Sequence, residues 1–368
     1  MKQNMTCNKL LILACTFCIA FISQAQQVEF HKRIYKSFKI TPETSVQIIN
    51  KYGNIHIVKS TLDSVSFSVE IKATDKDTIK AKKIFNNIDV QFDASLYYVI
   101  AKTNFNDYKS SVWSNISDIA NTAINGAASI EINWTVTVPE NIELKIENKF
   151  GNIYTTDHNS SINIDLSNGD FQAHNLSGKS NIKVEFGNVN IKNISTGKLE
   201  LSYVKAEIIS AGNIDLYSRA TTLNLPVVNN LEINSRHDKL YIDSVTVLKG
   251  EASFSLIKIN KALKSTMLNL KYGSIYFNMI NNSTTNIFIT SANTDLFFNY
   301  DKTYSCIFES TYRKAILVLP SVFDSFTKIL LDEKLQQYKM NGVIGEPKTD
   351  ASEIKLNFSS GILSCAVR

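Results

Sequence analysis

The sequence predicts a mainly β protein: a parallel β-solenoid, or β-helix, of about nine coils of 17–18 residues. A small α+β capping module precedes the coils and a C-terminal cap closes them. Three observations predict this. A short pattern recurs at near-constant spacing, its apolar positions form columns when the copies are aligned, and helical periodicity is nearly absent from the 368 residues.

In chain order, residues 1–25 must be set aside first. They carry Lys2 and Lys9, then an apolar run from Leu10 to Ile22, then Ser23-Gln24-Ala25 with small residues at the −3 and −1 positions. Charged start, short apolar core and small-x-small exit are the parts of a secretory signal peptide, with cleavage expected after Ala25. The run is shorter than the ~20 residues of a transmembrane helix. Two alternatives are lipidation at Cys15, which Leu13 suits poorly, and a buried N-terminal helix. No later stretch approaches a membrane span, so the mature chain is expected to lack one and to work in the periplasm or on the outer cell surface.

Losing Lys2 and Lys9 lowers the formal charge from +5 to +3, and the basic residues are scattered along the chain. A nucleic-acid partner, which needs a concentrated basic face, is not expected. Of five cysteines, Cys306 and Cys365 remain after the signal. In an oxidising compartment they could form a disulfide, and two free buried thiols are the equal alternative. The bond would close a loop of roughly 60 residues and stabilise by roughly 3–5 kcal/mol. No cluster of metal ligands and no cofactor motif is seen.

Residues 26–147 are read as the N-terminal capping module. It holds "SVQIINKYGNIHIVKS" (45–60), "SVSFSVEIKA" (64–73), "IDVQFDASLYYVIAKT" (88–103) and "SIEINWTVTVP" (129–139). Between these strands Asp75–Asn87 reads as a helix, with Ala81, Ile84, Phe85 and Ile88 on one face. The Ser/Asn-rich insertion 104–128 contains a weaker helical window, Val112–Ala120. Its Trp113 is either a loop anchor for a partner or a ring packed onto the body.

The coils are assigned to residues 148–300. Taking the Gly of "KFGNIYT" as reference, the matched positions are Gly151, Gly169, Gly187, Val204, Thr221, Asp238, Ser255, Gly273 and Asn293, in steps of 17 or 18 and finally 20. Two residues later comes the apolar column Ile153, Phe171, Val189, Ala206, Leu223, Leu240, Ile257, Ile275, ending on Asp295. Four later comes another, from Thr155 through Ile191, Ile208 and Leu225 to Phe277 and Phe297. A polar column lies between them, so each coil presents a strand with one buried face. A second strand precedes each reference position, as in "SINIDLS" and "NIKVEF". Stacked at ~4.8 Å, nine coils would extend on the order of 40 Å. The reference glycines are expected at corners with positive φ. Residues 301–368 supply the last coils and the cap, with "FSSGILS" a faint final echo.

The "KYGNI" strand, the single-helix region after "SVSFSVEIKATDKDTIKAKKIF" and the later "FGNI", "FGNV" and "YGSI" coils resemble the bacterial "putative adhesin" family of extracytoplasmic β-repeat proteins, related to head-GIN domains. The resemblance covers most of 28–368. It implies a cell-envelope β-solenoid with an adhesive role and supplies no catalytic residues.

A non-enzymatic binding scaffold for a glycan or an envelope or surface protein is therefore expected, with Tyr154, Tyr241 and Tyr276 as an outward aromatic face. A periplasmic structural or sensing accessory is the second reading. A polysaccharide-acting enzyme is the third; its paired carboxylates would have to come from Glu185 and Glu200, or from Asp238 beside His237. Asp157-His158 reads as a surface turn.

Overall fold

Repeats of nearly equal length put the same alternating apolar positions opposite one another, and parallel strand pairing follows. The computed structural model describes residues 27–105, 128–284, 286–346 and 352–368. It is mainly β, with one large and mostly parallel sheet that does not close into a barrel. The signal segment and the window around Trp113 lie outside the described residues. Two compact units divide the chain: Met1–Arg33 with Glu70–Asp89 and Asn104–Glu131, and Ile34–Val69 with Val90–Thr103 and Ile132–Arg368.

The first unit holds the helix, Thr78–Asn86, shorter than the sequence window. Asp77 caps it, its carboxylate accepting from the amides of Ile79 and Lys80. Ala81 and Ile84 are its buried residues. Phe85 lies 5.7 Å from Phe30, and the Lys32 ammonium donates to the Ile88 carbonyl at 2.7 Å.

In the second unit, "NKYGNIHI" lies beside "NKFGNIYT": Ser45–Lys51 pairs in parallel with Glu143–Lys149, and Ile55–Ser60 with Ile153–Thr155. The sequence echo is thus a spatial neighbour. From there the pairing advances by 18 residues (Ile162 to Ser180), then 17 (Thr222 to Lys239), then 18 (Ser265 opposite Val247). The next step is 21, not 20, because Gly273 faces Thr294. A one-residue slip reverses every side chain. In the true register the apolar columns continue through Leu296 and Phe298, both buried, instead of failing at Asp295 and Phe297.

The chain's end does not lie at the end of this ladder. Ser352–Ser359 pairs in parallel with Asn286–Tyr300 on one side and Cys306–Arg313 on the other. "FSSGILS" therefore belongs to a full repeat, placing Gly361 opposite the Thr294 row and Leu363 opposite Leu296. Beyond it, Gln337–Ile344 runs antiparallel to both Cys306–Arg313 and Thr327–Asp332.

The glycine reading needs correction. Gly53, Gly151, Gly169, Gly187 and Gly273 do not have positive φ; the residue before each of them does. Tyr52, Phe150, Asn168, Phe186, Tyr203, Ala220, His237, Phe254, Tyr272 and Asn293 all lie in the left-handed region, with φ between 51° and 66°. Ser360 and Lys314 continue the series at 55° and 49°. Glycine follows them because the rows come too close for a Cβ. At Gly151 it would collide with the carbonyl of Gly53, and at Gly187 with that of Gly169. The reference residues at the 17-residue steps, Val204, Thr221, Asp238 and Ser255, carry side chains instead and bury them.

The Asn of "GN" has its own role. The Asn54 Oδ1 accepts from the Asn152 amide at 2.9 Å, Asn152 from Asp170 at 2.8 Å, and Asp170 from Asn188 at 2.9 Å. A further apolar column, unread in the sequence, lies seven residues past the reference: Leu176, Ile194, Ala211, Val228, Val245, Ala262 and Ile280 are all buried.

Candidate functional site

Period-two alternation turns the positions two and four residues before each reference outward on the same face. Towards the C-terminal half this face forms an open groove of about 610 Å³. Asn234, Glu251, Asn269, Thr290, Asn357 and Thr311 follow one another across six successive strands of its length. At the ~4.8 Å strand spacing this row extends roughly 24 Å. Ser253, Ala292 and Ser359 keep the adjoining row low on either side of Lys271, while Arg313 and Gln337 stand at its end. Amide and hydroxyl groups thus dominate the lining, and Glu251 is its one carboxylate. Such a surface can exchange many neutral hydrogen bonds with a ligand lying along it.

Elsewhere on this face, charges neutralise one another locally. Lys183 pairs with Glu185 at 3.2 Å, Lys145 with Glu147 at 3.1 Å, and Lys249 with Glu232 at 2.7 Å. Each pair is largely exposed and contributes little to stability.

Tyr154, Tyr241 and Tyr276 do occupy one outward column, but they do not form a continuous aromatic face. Gln172, Asn190, Glu207 and Asn224 stand between the first two. Each ring is half-buried by a neighbour in its column. Tyr154 stacks on His56 at 4.6 Å, and Tyr276 on Phe297 at 4.3 Å. Lys258 lies over Tyr241 and Tyr276 at 5.9 and 5.6 Å.

A second aromatic column was missed. The left-handed residues at the corner carry exposed rings: Phe150, Phe186, Tyr203, Phe254 and Tyr272 are between 41% and 52% exposed. They stack nearly parallel, Tyr52 on Phe150 at 5.5 Å, Phe186 on Tyr203 at 5.0 Å and Phe254 on Tyr272 at 4.9 Å. His237 joins Phe254 at 4.8 Å. The signal was available in the sequence as the aromatic preceding "GN" and "GS".

The residues weighed for catalysis separate. His237 points out from the corner, whereas Asp238 is 2% exposed. The Asp238 carboxylate accepts from Ser218 Oγ at 2.6 Å, Ser235 Oγ at 2.7 Å, the Thr221 amide at 2.7 Å and the Arg236 amide at 3.0 Å. Glu185 and Glu200 are each taken up by a lysine, Lys183 and Lys198. His158 is not a surface residue: it is 1% exposed, because it stands in the inward column of Leu176 and Ile194. Burial holds its imidazole below the usual pKa of 6.5.

Cys306 and Cys365 are both buried as free thiols. Burial pushes each thiol up to about 12, and Tyr300 close by up to about 12 as well. Among the described residues, no group of three or more His, Cys, Asp or Glu side chains could hold a metal ion. Nor is any described helix long and apolar enough to cross a membrane.

No protein-family model matches the chain, and no curated protein does. Among solved structures, it is similar to a "putative cell adhesion protein" from Clostridium sporogenes at 12% identity. That match covers 92% of this chain and 100% of the other, with a TM-score of 0.22. It is also similar to a "putative adhesin" from Bacteroides fragilis at 10% identity, over 92% of this chain and 97% of the other, with a TM-score of 0.29. Neither likeness bears on which residues bind.

Proposed function

We propose that the chain is an exported, non-enzymatic cell-envelope protein, a β-solenoid whose groove binds a glycan as an adhesin does. The groove carries this reading. Its amides and hydroxyls recur at five of six successive strands along one line, and they suit a chain of hydroxyl-bearing units better than a compact ligand. A polysaccharide hydrolase would need two carboxylates converging on one bond. The groove contributes Glu251 alone, which supports binding without cleavage. The charged start and small-x-small exit of residues 1–25 support export, and N-terminal sequencing of the mature chain is expected to begin at Gln26.

The test is a panel of neutral oligosaccharides offered to the mature chain, with binding followed by calorimetry and products by chromatography. A ligand bound by the wild type is expected to be lost on filling the groove with Thr290→Trp and weakened by Asn269→Ala with Asn357→Ala. Undiminished binding by Thr290→Trp would refute the groove. Release of shortened sugars would refute the non-enzymatic reading.

A further inference from the structure

The scatter of basic residues in the sequence conceals an alignment. Two residues before each reference position, and so immediately before the left-handed corner, the successive strands present Lys51, Lys149, Ser167, Glu185, Ser202, Arg219, Arg236, Ser253, Lys271, Ala292, Ser359 and Arg313. Six are cations and one is an acid. That acid, Glu185, is occupied by Lys183. None of the six cations has a carboxylate partner among the described residues, although lysines two and four positions further back on the same face do. Five of the six are exposed and Lys51 is half-buried. Six cations without a carboxylate partner, against one acid that is already paired, make this edge locally positive.

This stripe runs directly beside the corner rings. The Lys51 ammonium lies 4.5 Å over Tyr52 and 5.9 Å over Phe150. The Arg219 guanidinium lies 5.5 Å over Tyr203 and donates to its hydroxyl at 3.1 Å. Cations and ring edges therefore share one border, interrupted at Asn168, Ala220 and Asn293 in the ring column and at Ser167, Glu185 and Ser202 in the cation row. We infer that this border binds an extended acidic polysaccharide, its acid groups held by the unpaired cations and its sugar units lying against the ring edges and tyrosine hydroxyls.

Charge complementarity requires an anion, and the linear array favours a polymer. Single-stranded nucleic acid would need open ring faces on which bases stack. Here most faces are covered by the next ring at 4.8–5.5 Å, leaving edges. The inference does not rest on the groove: Lys271 and Arg313 touch both surfaces, but Lys51, Lys149, Arg219 and Arg236 lie outside it.

The experiment measures binding of polygalacturonate, neutral dextran and oligo-dT to the full mature chain at about 50 and 200 mM salt. One variant carries Lys51→Gln, Lys149→Gln, Arg219→Gln and Arg236→Gln. A second loses the same charge elsewhere through Lys192→Gln, Lys258→Gln, Lys261→Gln and Lys264→Gln. Circular dichroism checks that both fold. Polygalacturonate is expected to bind the wild type, weaken with salt, and lose roughly tenfold or more in affinity in the first variant only. Tyr203→Ala with Tyr272→Ala is expected to weaken it several-fold with the charge unchanged. Equal loss in both charge variants, no binding by the wild type, or oligo-dT binding as tightly as polygalacturonate would overturn the inference. These outcomes are separate from the groove's test, which uses neutral sugars and leaves the four stripe cations in place.

Discussion

Replacing Gly187 by alanine tests whether the repeat's glycines serve close approach or backbone conformation. Every atom that a Cβ would meet there belongs to the Gly169 backbone, and φ is not in the left-handed region. Overpacking costs about 1–3 kcal/mol where side chains can shift. Here a paired strand would have to move, so about 3 kcal/mol is expected. For a chain of this size that corresponds to a fall in Tm of roughly 4 °C. Phe186→Gly should behave in the opposite way. It forfeits a stacked ring worth about 0.5–1.5 kcal/mol but relieves a left-handed backbone worth about 1–2 kcal/mol, leaving it within about 1 kcal/mol of the wild type. Urea and thermal unfolding followed by circular dichroism would measure both. If Gly187→Ala falls within about 0.5 kcal/mol of the wild type, or Phe186→Gly costs more than Gly187→Ala, the close-approach reasoning is wrong.

Asp238→Ala strands four donors in the interior and is expected to cost about 4 kcal/mol or more, with Asp238→Asn milder; denaturant midpoints would show it. The buried His158 is held neutral, so its contribution is full above the unfolded pKa of 6.5 and is lost as pH falls towards the depressed folded value. His158→Leu, which matches its column, is expected to lessen the drop in urea midpoint between about pH 7.5 and 5. For the two thiols the sign reverses. Their folded values near 12 lie above the ordinary 9.0, so their contribution is present below pH 9 and is lost as pH rises towards 12. Cys306→Ala with Cys365→Ala is expected to lessen that alkaline loss, the buried Tyr300 supplying the rest, and in the wild type neither thiol should react with a disulfide reagent at about pH 8 until denaturant is added.

The strand ladder was legible because apolar residues at period two, recurring every 17 or 18 positions, have few other ways to be buried together. Three things were not. The step of 21 into Thr294 was hidden because Asn293, like Gly a residue that tolerates positive φ, fits the reference position, whereas in space it aligns with Tyr272, one position earlier. His158 was misplaced because it was read with its neighbour Asp157 instead of down its column, where Leu176 and Ile194 predict burial. The corner was misassigned because glycine is the usual left-handed residue, while here Phe150, Phe186 and Tyr203 adopt that conformation and glycine answers the approach of the next strand. The polar groove was out of reach for a further reason. Asn357 and Thr311 join Asn269 and Thr290 only because the chain's last strands insert between two earlier ones, and no local pattern announces that insertion.

The corner rings connect this backbone geometry to the surface. A left-handed non-glycine residue costs about 1–2 kcal/mol, and an exposed stack returns about 0.5–1.5 kcal/mol. Folding therefore gives no net preference for a ring over Gly or Asn at these positions, and Asn168 and Asn293 show that Asn is accommodated. Packing does not fix them either, since about half of each ring at Phe150, Phe186, Tyr203, Phe254 and Tyr272 stays in water. What a ring adds at such a position is exposed surface set at the strand spacing, beside a cation at Phe150, Tyr203 and Tyr272. The surface these residues supply depends on the stack and the charge stripe being kept in register by the same parallel pairing.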